Sequence, residues 1–313
     1  MSNGQGDTKP AWVSVSLFIV LLILMIFVGL FVPQFGLAWA WIGVAILMLP
    51  VFVLVGVSLG KGIAGILIDP ATNMMSLSRL QVVLWTGLVL SAFITVALGR
   101  VGDSRLHSSD YCSPPKIAEG QIQCTDPLGI QLPQLLWALV GISITTAVGS
   151  PLLKAAKAQR TAEEDRNRVR AATKRTPPGG APEPVATYTQ VLKQRETENP
   201  IIAKVATGQP NGVLVRKDSW TEATFSDLFT GEEVSNFMYV DIAKVQNFFF
   251  TMIAVTAYAV ALWVAMSTAG SIAKFFMFPD LPSGLVAIIS ISHTGYLTDK
   301  AFTHSTPTTP PQP

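Results

Sequence analysis

Long apolar stretches without charge dominate this sequence and restrict what it can fold into. Residues Trp12–Val32 and Phe35–Leu59 contain no Asp, Glu, Lys or Arg. Because about 20 consecutive apolar residues cross a bilayer as a helix, both stretches predict membrane-spanning helices. Only 13% of the 313 residues are charged, whereas soluble domains have roughly 25%. This composition argues against a soluble enzyme, a disordered chain and a nucleic-acid-binding protein.

The hydropathy pattern predicts an all-α polytopic membrane protein with about six transmembrane helices. The other four segments are about Leu80–Leu98, Leu132–Leu153, Val245–Met266 and Leu281–Leu297. The last of these is short and contains several polar side chains, so a partial span or an interfacial helix fits it as well. The first segment is longer than the apolar part of a signal peptide, and we expect it to remain uncleaved.

Charges near the predicted spans indicate their orientation. Eight basic and three acidic residues lie between Lys154 and Arg175, directly after the fourth segment. The positive-inside rule therefore places this stretch in the cytoplasm and the loop 99–131 outside. Six spans then leave both termini cytoplasmic.

Both cysteines of the chain, Cys112 and Cys124, fall in this outer loop. A disulfide between them would close a short loop in an oxidising compartment, and two unpaired thiols are the alternative. Two cysteines and His107 are too few ligands for a metal site, so we expect neither a metal nor another cofactor.

Two hairpins of the predicted bundle resemble each other, which suggests a duplication. Arg79 and Gln81 at the start of the third segment align with Lys244 and Gln246 at the start of the fifth. We expect the two basic residues at the cytoplasmic interface, where they snorkel or bind lipid phosphates. The two glutamines would lie slightly deeper and hydrogen-bond between the hairpins.

The partner helices of these hairpins have small and polar side chains at helical spacing. Gly141, Thr145 and Gly149 fall on one face, which predicts a helix-packing seam. A polar lining for a substrate path is the alternative reading. The same two alternatives apply to the remaining candidates, which are Ser143, Ser290, Ser292, His293 and Thr294. For His293, a structural or interfacial role is favoured over transport or sensing.

The motif Ser-Leu-Ser-Arg-x-Gln-x-x-x-Trp-Thr occupies residues 76–86, and Leu-Pro-x-Leu-Leu-x-x-Leu-x-Gly-Ile-Ser occupies residues 132–143. Together they resemble a group of bacterial multi-pass membrane proteins that has no assigned activity. The resemblance covers about residues 65–154 and 225–300. It implies a location in the bacterial inner membrane and supplies no binding residues.

The region between the duplicated hairpins predicts a small cytoplasmic insertion. Within it, 212–216 predicts a strand, and 221–229 predicts a short amphipathic helix on the membrane or on the helix bundle. We expect the segment 61–78 to fold against this insertion. The predicted order is a disordered terminus 1–11, a hairpin 12–60, an interfacial segment 61–79, a hairpin 80–153, a basic helix and Pro/Gly linker 154–184, a small domain 185–239, a hairpin 240–300 and a disordered tail 301–313.

No sequence motif for catalysis is present, because the chain has no phosphate-binding glycine loop, His-Glu-x-x-His pair or Gly-x-Ser-x-Gly elbow. No predicted span has a central Asp, Glu, Lys or Arg, which disfavours ion-coupled transport. The sequence therefore predicts a membrane anchor or scaffold, not an enzyme, whose cytoplasmic face recruits a protein partner. A small channel or transporter is the alternative. The bilayer is the other expected partner, a homo-oligomer stays open, and nucleic acid is not expected.

Overall fold

The computed structural model describes residues 11–103, 130–175, 214–217, 219–233, 236, 239–270, 272, 275 and 277–302, with backbone only at 11 and 157–175. The predicted Cys112–Cys124 disulfide lies outside the described residues. So do the predicted disordered termini apart from residues 11, 301 and 302, the Pro/Gly linker, and most of the predicted domain 185–239.

The described chain is mostly helical, as the apolar segments predict. Its helices are α1 (Ala11–Phe31), α2 (Leu37–Ser58), α3 (Leu77–Trp85), α4 (Ser91–Gly102), α5 (Gln134–Arg175), α6 (Ile242–Thr268) and α7 (Ser283–Ala301). A π-helical turn, Thr86–Leu90, joins α3 to α4. In this part of the chain, five helical segments are long and apolar enough to cross a membrane: Trp12–Gln34, Leu37–Ser58, Leu77–Gly102, Gln134–Ala156 and Ile242–Thr268.

The sixth predicted segment also forms a helix, α7, but it is not among those five. Its serines, His293 and Thr294 lower its hydropathy. Both α5 and α7 begin directly after a proline, and the carbonyls of Pro133 and Pro282 accept the first helical hydrogen bonds at 3.0 Å. A proline fits this place because the first turn needs no N–H donor from it.

The described chain divides into two compact units. The first contains Met1–Ile66, Arg79–Ile144 and Phe248–Ile291, and the second contains Leu67–Ser78, Thr145–Asn247 and Ser292–Pro313.

Aromatic and aliphatic side chains from several helices form the core of the first unit. Trp85 and Tyr258 lie with ring centroids 6.2 Å apart, and both are almost fully buried. Two buried polar pairs connect helices of this unit. Gln81 Nε2 donates to Thr251 Oγ1 at 2.8 Å, and Trp41 Nε1 donates to Ser91 Oγ at 3.0 Å. Such pairing avoids the cost of a buried donor without an acceptor.

The second unit contains a short antiparallel hairpin, in which β1 (Ile68–Asp69) pairs with β2 (Met74–Met75). Its turn needs a left-handed residue, and Asn73 takes that place with φ 52°. The Asn73 side chain donates to the carbonyl of Lys217 at 2.8 Å. Lys217 N donates in return to Thr72 O at 2.9 Å. The later part of the segment 61–78, Leu67–Ser78, thus contacts the insertion.

One local prediction for the insertion was wrong, and another falls partly outside the described residues. Of the predicted strand 212–216 only 214–216 is described, and there Leu214 forms an isolated bridge with Glu233. In place of one amphipathic helix there are two 3₁₀ helices, Trp220–Glu222 and Phe225–Leu228. The reason lies in local side-chain hydrogen bonds that compete with a continuous helix: Thr224 N donates to Asp227 Oδ2 at 3.0 Å and begins a new turn there.

Close backbone contact at the end of α2 predicts a matched pair of glycine substitutions. An added Cβ at Gly56 would lie 2.9 Å from Gly62 O and 3.0 Å from Gly65 N, whereas one at Gly87 would meet only the Phe52 ring, at 3.5 Å. We expect Gly56→Ala to lower the free energy of unfolding by about 1–3 kcal/mol, because backbone cannot yield as a side chain can. Gly87→Ala should change it by less. SDS titration in mixed micelles measures the free energy of unfolding of both variants. Equal losses would contradict the close backbone contact at Gly56.

Candidate functional site

A cluster of buried charges in the second unit is the most distinctive arrangement of polar groups in the described structure. The carboxylate of Glu232 binds three lysines: Oε2 lies 2.9 Å from Lys154 Nζ, and Oε1 lies 3.0 Å from the Nζ atoms of both Lys244 and Lys300. All three lysines are more than nine-tenths buried. We call Asp69, Lys154, Glu232, Lys244 and Lys300 the Glu232 cluster.

Asp69 supplies the second carboxylate of the cluster. Its Oδ2 pairs with Lys154 Nζ, while its Oδ1 accepts a hydrogen bond from Ala71 N at 2.9 Å. One aspartate therefore both shapes the β1–β2 turn and ties the hairpin to α5.

Neutral groups complete the hydrogen bonding of two lysines. Lys244 Nζ donates to Thr230 O at 2.7 Å, and Lys300 Nζ donates to the Tyr296 hydroxyl at 3.0 Å. Charges removed from water are tolerated only with such dense pairing.

The charges of the cluster shift the pKa values of its members. Burial alone would raise the pKa of Glu232, but Lys154, Lys244 and Lys300 outweigh burial and hold that pKa well below its usual range. Burial opposes ionisation of Asp69 too, and Lys154 reverses the effect, so the pKa of Asp69 is lowered. Both residues are therefore ionised at neutral pH. The stability that they contribute is present above the ordinary carboxyl pKa range and is lost as pH falls through the lowered values.

Lys300 behaves in the opposite way. Burial lowers its pKa to about 8, and the Glu232 carboxylate offsets only part of that effect. The charged form is thus disfavoured in the folded chain, and folding gains stability as pH rises from about 8 towards the ordinary lysine range. A cavity of about 30 Å³ adjoins the cluster, and Asp241 and Asp299 are among its lining residues.

The structure corrects the expectation that Lys244 lies at a lipid interface, because its ammonium group is buried against Glu232. Arg79 is half-buried, with Nη1 3.4 Å from Ile66 O. The two aligned glutamines differ: Gln81 is buried against Thr251, whereas Gln246 is exposed. Gln81 thus forms the expected hydrogen bond between the two hairpins, to Thr251, whereas exposed Gln246 is not placed in the same way.

The packing seam predicted on α5 is also corrected. Gly141 and Thr145 are exposed, and an added Cβ at Gly141 meets nothing within 4 Å. Gly149 is half-buried, and a Cβ there would lie 3.6 Å from Leu297 Cδ2. The buried stripe lies on another face of the helix and consists of Leu136, Leu139, Ser143, Thr146, Ser150 and Lys154. Helical spacing alone defines faces, and it does not say which face is covered.

On α7, the structure separates the four candidate residues. Ser292 and His293 are buried, and His293 Nδ1 lies 2.8 Å from Thr146 Oγ1. Ser290 is half-buried, with its hydroxyl donating to Val286 O at 2.7 Å, and Thr294 is exposed.

Sequence reasoning missed Glu232 and Asp69. Glu232 lies in a loop, 12 positions from Lys244 and 68 from Lys300, so no local pattern marks it. The sequence contains one weak signal. Lys154, Lys244 and Lys300 all lie at the cytoplasmic ends of predicted spans, and lysines that become buried need a carboxylate as partner.

Comparison with protein-family models, curated proteins and solved structures found no match to this chain. Within the described ranges, no group of three or more His, Cys, Asp and Glu side chains is placed to hold a metal ion.

The central place of Glu232 gives a direct prediction. Glu232→Gln leaves three buried ammonium groups without their shared countercharge, and we expect the free energy of unfolding to fall by about 3–5 kcal/mol. Glu222→Gln is the matched control because Glu222 is exposed, and it should change stability by less than about 0.5 kcal/mol. SDS titration measures the free energy of unfolding of both variants. A Glu232→Gln protein as stable as the control would show that the cluster does not stabilise the fold.

Proposed function

We propose that this chain is an integral anchor or scaffold of the bacterial inner membrane, with six crossings and both termini in the cytoplasm. On its cytoplasmic face it recruits a protein partner. The proposal is supported by the five long apolar helices and by the distribution of charges along the sequence.

The Glu232 cluster supports α7 as the sixth crossing. Lys154 lies near the end of the apolar part of α5, Lys244 near the start of α6 and Lys300 near the end of α7. All three bind one carboxylate. The end of the apolar part of α5, the start of α6 and the end of α7 lie together in this way when the three helices cross a membrane in alternating directions.

Exposed aromatic side chains on a well-supported turn are the observation that carries the recruiting role. Phe225 is 60% exposed and Trp220 is 37% exposed. The turn that bears them is held by Asp227, which pairs with Lys217 Nζ at 2.7 Å and accepts from Met75 N at 3.3 Å. Aromatic residues on a rigid support are typical of the residues that dominate binding at protein interfaces.

Affinity capture tests the recruiting role. The tagged full chain is purified in mild detergent from its native host, as wild type, as a Trp220→Ser/Phe225→Ser double variant and as a Tyr239→Ser control, which changes an exposed aromatic residue outside that turn. We expect a stoichiometric soluble protein with the wild type and the control that is lost from the double variant. The same protein, purified separately, should rebind the wild type in lipid nanodiscs and not the double variant.

Other outcomes count against recruitment. Recovery of the chain alone, as a defined homo-oligomer, would overturn it in favour of self-association. Equal capture by all three forms would show that the aromatic pair is not the binding surface. If the double variant captures the same proteins as the wild type but its Trp220–Phe225 turn no longer contacts the bilayer, the aromatic pair binds lipid instead of a protein.

A small channel or transporter is the second candidate. The observation that favours it is the buried polar stripe of α5, which includes Ser143, Thr146 and Ser150. Liposomes that contain only the purified chain would pass solute if the chain is a channel, and would not if it is a scaffold.

A further inference from the structure

Two buried stripes of polar side chains extend from the Glu232 cluster into the helices. On α7 the stripe consists of His293, Tyr296 and Lys300, spaced three and four positions apart. On α5 it consists of Thr146, Ser150 and Lys154, spaced four apart. All six residues are more than nine-tenths buried. Residues at these spacings share a helix face, so each set lines one side of its helix.

Contacts within the second unit show that the two stripes face each other. His293 Nδ1 lies 2.8 Å from Thr146 Oγ1. One turn further, the Ser150 hydroxyl lies beside Tyr296, although without a hydrogen bond of normal geometry. At the last level, Lys154 and Lys300 bind the same carboxylate of Glu232, and Lys300 also reaches the Tyr296 hydroxyl.

Polar atoms along these stripes lack protein partners. Among the described residues, neither His293 Nε2 nor Ser292 Oγ has a hydrogen-bond partner, and both atoms are buried. Buried polar atoms are almost always satisfied by protein or by ordered water. Water fits the cluster end of these stripes because a cavity of about 30 Å³ there is lined by Lys154, Tyr296 and Lys300, which is room enough for a water molecule that can both donate and accept.

We propose that ordered water connects the Glu232 cluster with His293, which makes Nε2 of His293 a proton-binding site open to the side of the membrane where the cluster lies. A proton reaches Nε2 from a neighbouring water and leaves by the same route, so no other acceptor is consumed. This proposal does not depend on partner recruitment, since none of its groups belongs to the Trp220–Phe225 surface.

The surroundings of His293 define how its proton is held. Thr146 faces it from α5, Tyr296 lies three positions further along its own helix, and Ser150 lies beside Tyr296. The nearest charges beyond Tyr296 belong to the Glu232 cluster, with three ammonium groups and two carboxylates. The carboxylates offset most of the repulsion that the lysines exert on an incoming proton.

Deuterium exchange at C2 of the imidazole ring tests the proposal. This hydrogen exchanges only after the ring binds a proton and water then removes the C2 hydrogen, so the reaction requires both water and a proton at His293. The full-length chain in lipid nanodiscs is incubated in deuterated buffer, and mass spectrometry of the peptide with His293 reports the exchange. N-acetylhistidine in the same buffer provides the reference rate. We expect measurable exchange at His293.

Two conservative variants test the route itself. Ser150→Ala and Tyr296→Phe each remove one hydroxyl along the stripes and preserve shape. Each should slow exchange at His293 by about tenfold, the factor that corresponds to one lost hydrogen-bonded link of on the order of 1.4 kcal/mol. Ser58→Ala and Tyr239→Phe are the matched controls because both residues are exposed, and neither should change the rate.

Each remaining outcome overturns the proposal. No exchange at His293 in the wild type, with normal exchange of N-acetylhistidine, would show that the stripes are dry. Equal exchange in the wild type and both stripe variants would show that water arrives by another route or by opening of the chain. Destabilised variants would exchange faster, so slower exchange cannot come from a loss of folding.

Discussion

The carboxylate of Glu232 holds three lysine ammonium groups within 3.0 Å, and the second unit depends on this one interaction. The lysines come from three different helices, and the glutamate comes from a loop between two of them. Each ion would be costly to bury by itself, and removing one partner of such a set leaves the others uncompensated. Asp69 extends the same cluster to the β1–β2 hairpin, so that three helices, a loop and the hairpin share one electrostatic centre.

This centre links the two functional proposals for the chain. On one side, the hairpin and the Lys217–Asp227 pair support the turn with the exposed aromatic residues. On the other side, the lysines lie at the end of the polar stripes that lead to His293. A partner bound at the turn and a proton bound at His293 would therefore both act on groups connected to the same cluster.

The membrane class and the five long helices could be predicted from the sequence, because a long uncharged apolar stretch has few alternatives to crossing a bilayer. The orientation of individual helix faces could not. Gly141, Thr145 and Gly149 share a face by spacing, yet the buried stripe is the one with Thr146 and Ser150. The role of Lys244 was missed for a related reason: a lysine beside an apolar segment usually reaches the headgroups, and only the tertiary fold brings Glu232 to it.

A double-mutant cycle between Asp69 and Lys154 tests whether the buried cluster joins the β1–β2 hairpin to α5. The free energy of unfolding is measured by SDS titration for the wild type, Asp69→Asn, Lys154→Met and the double variant. We expect the double variant to lose less stability than the sum of the single changes, with a coupling energy of roughly 0.5–3 kcal/mol. Strictly additive losses would contradict it, because they would mean that the two side chains do not interact in the folded protein.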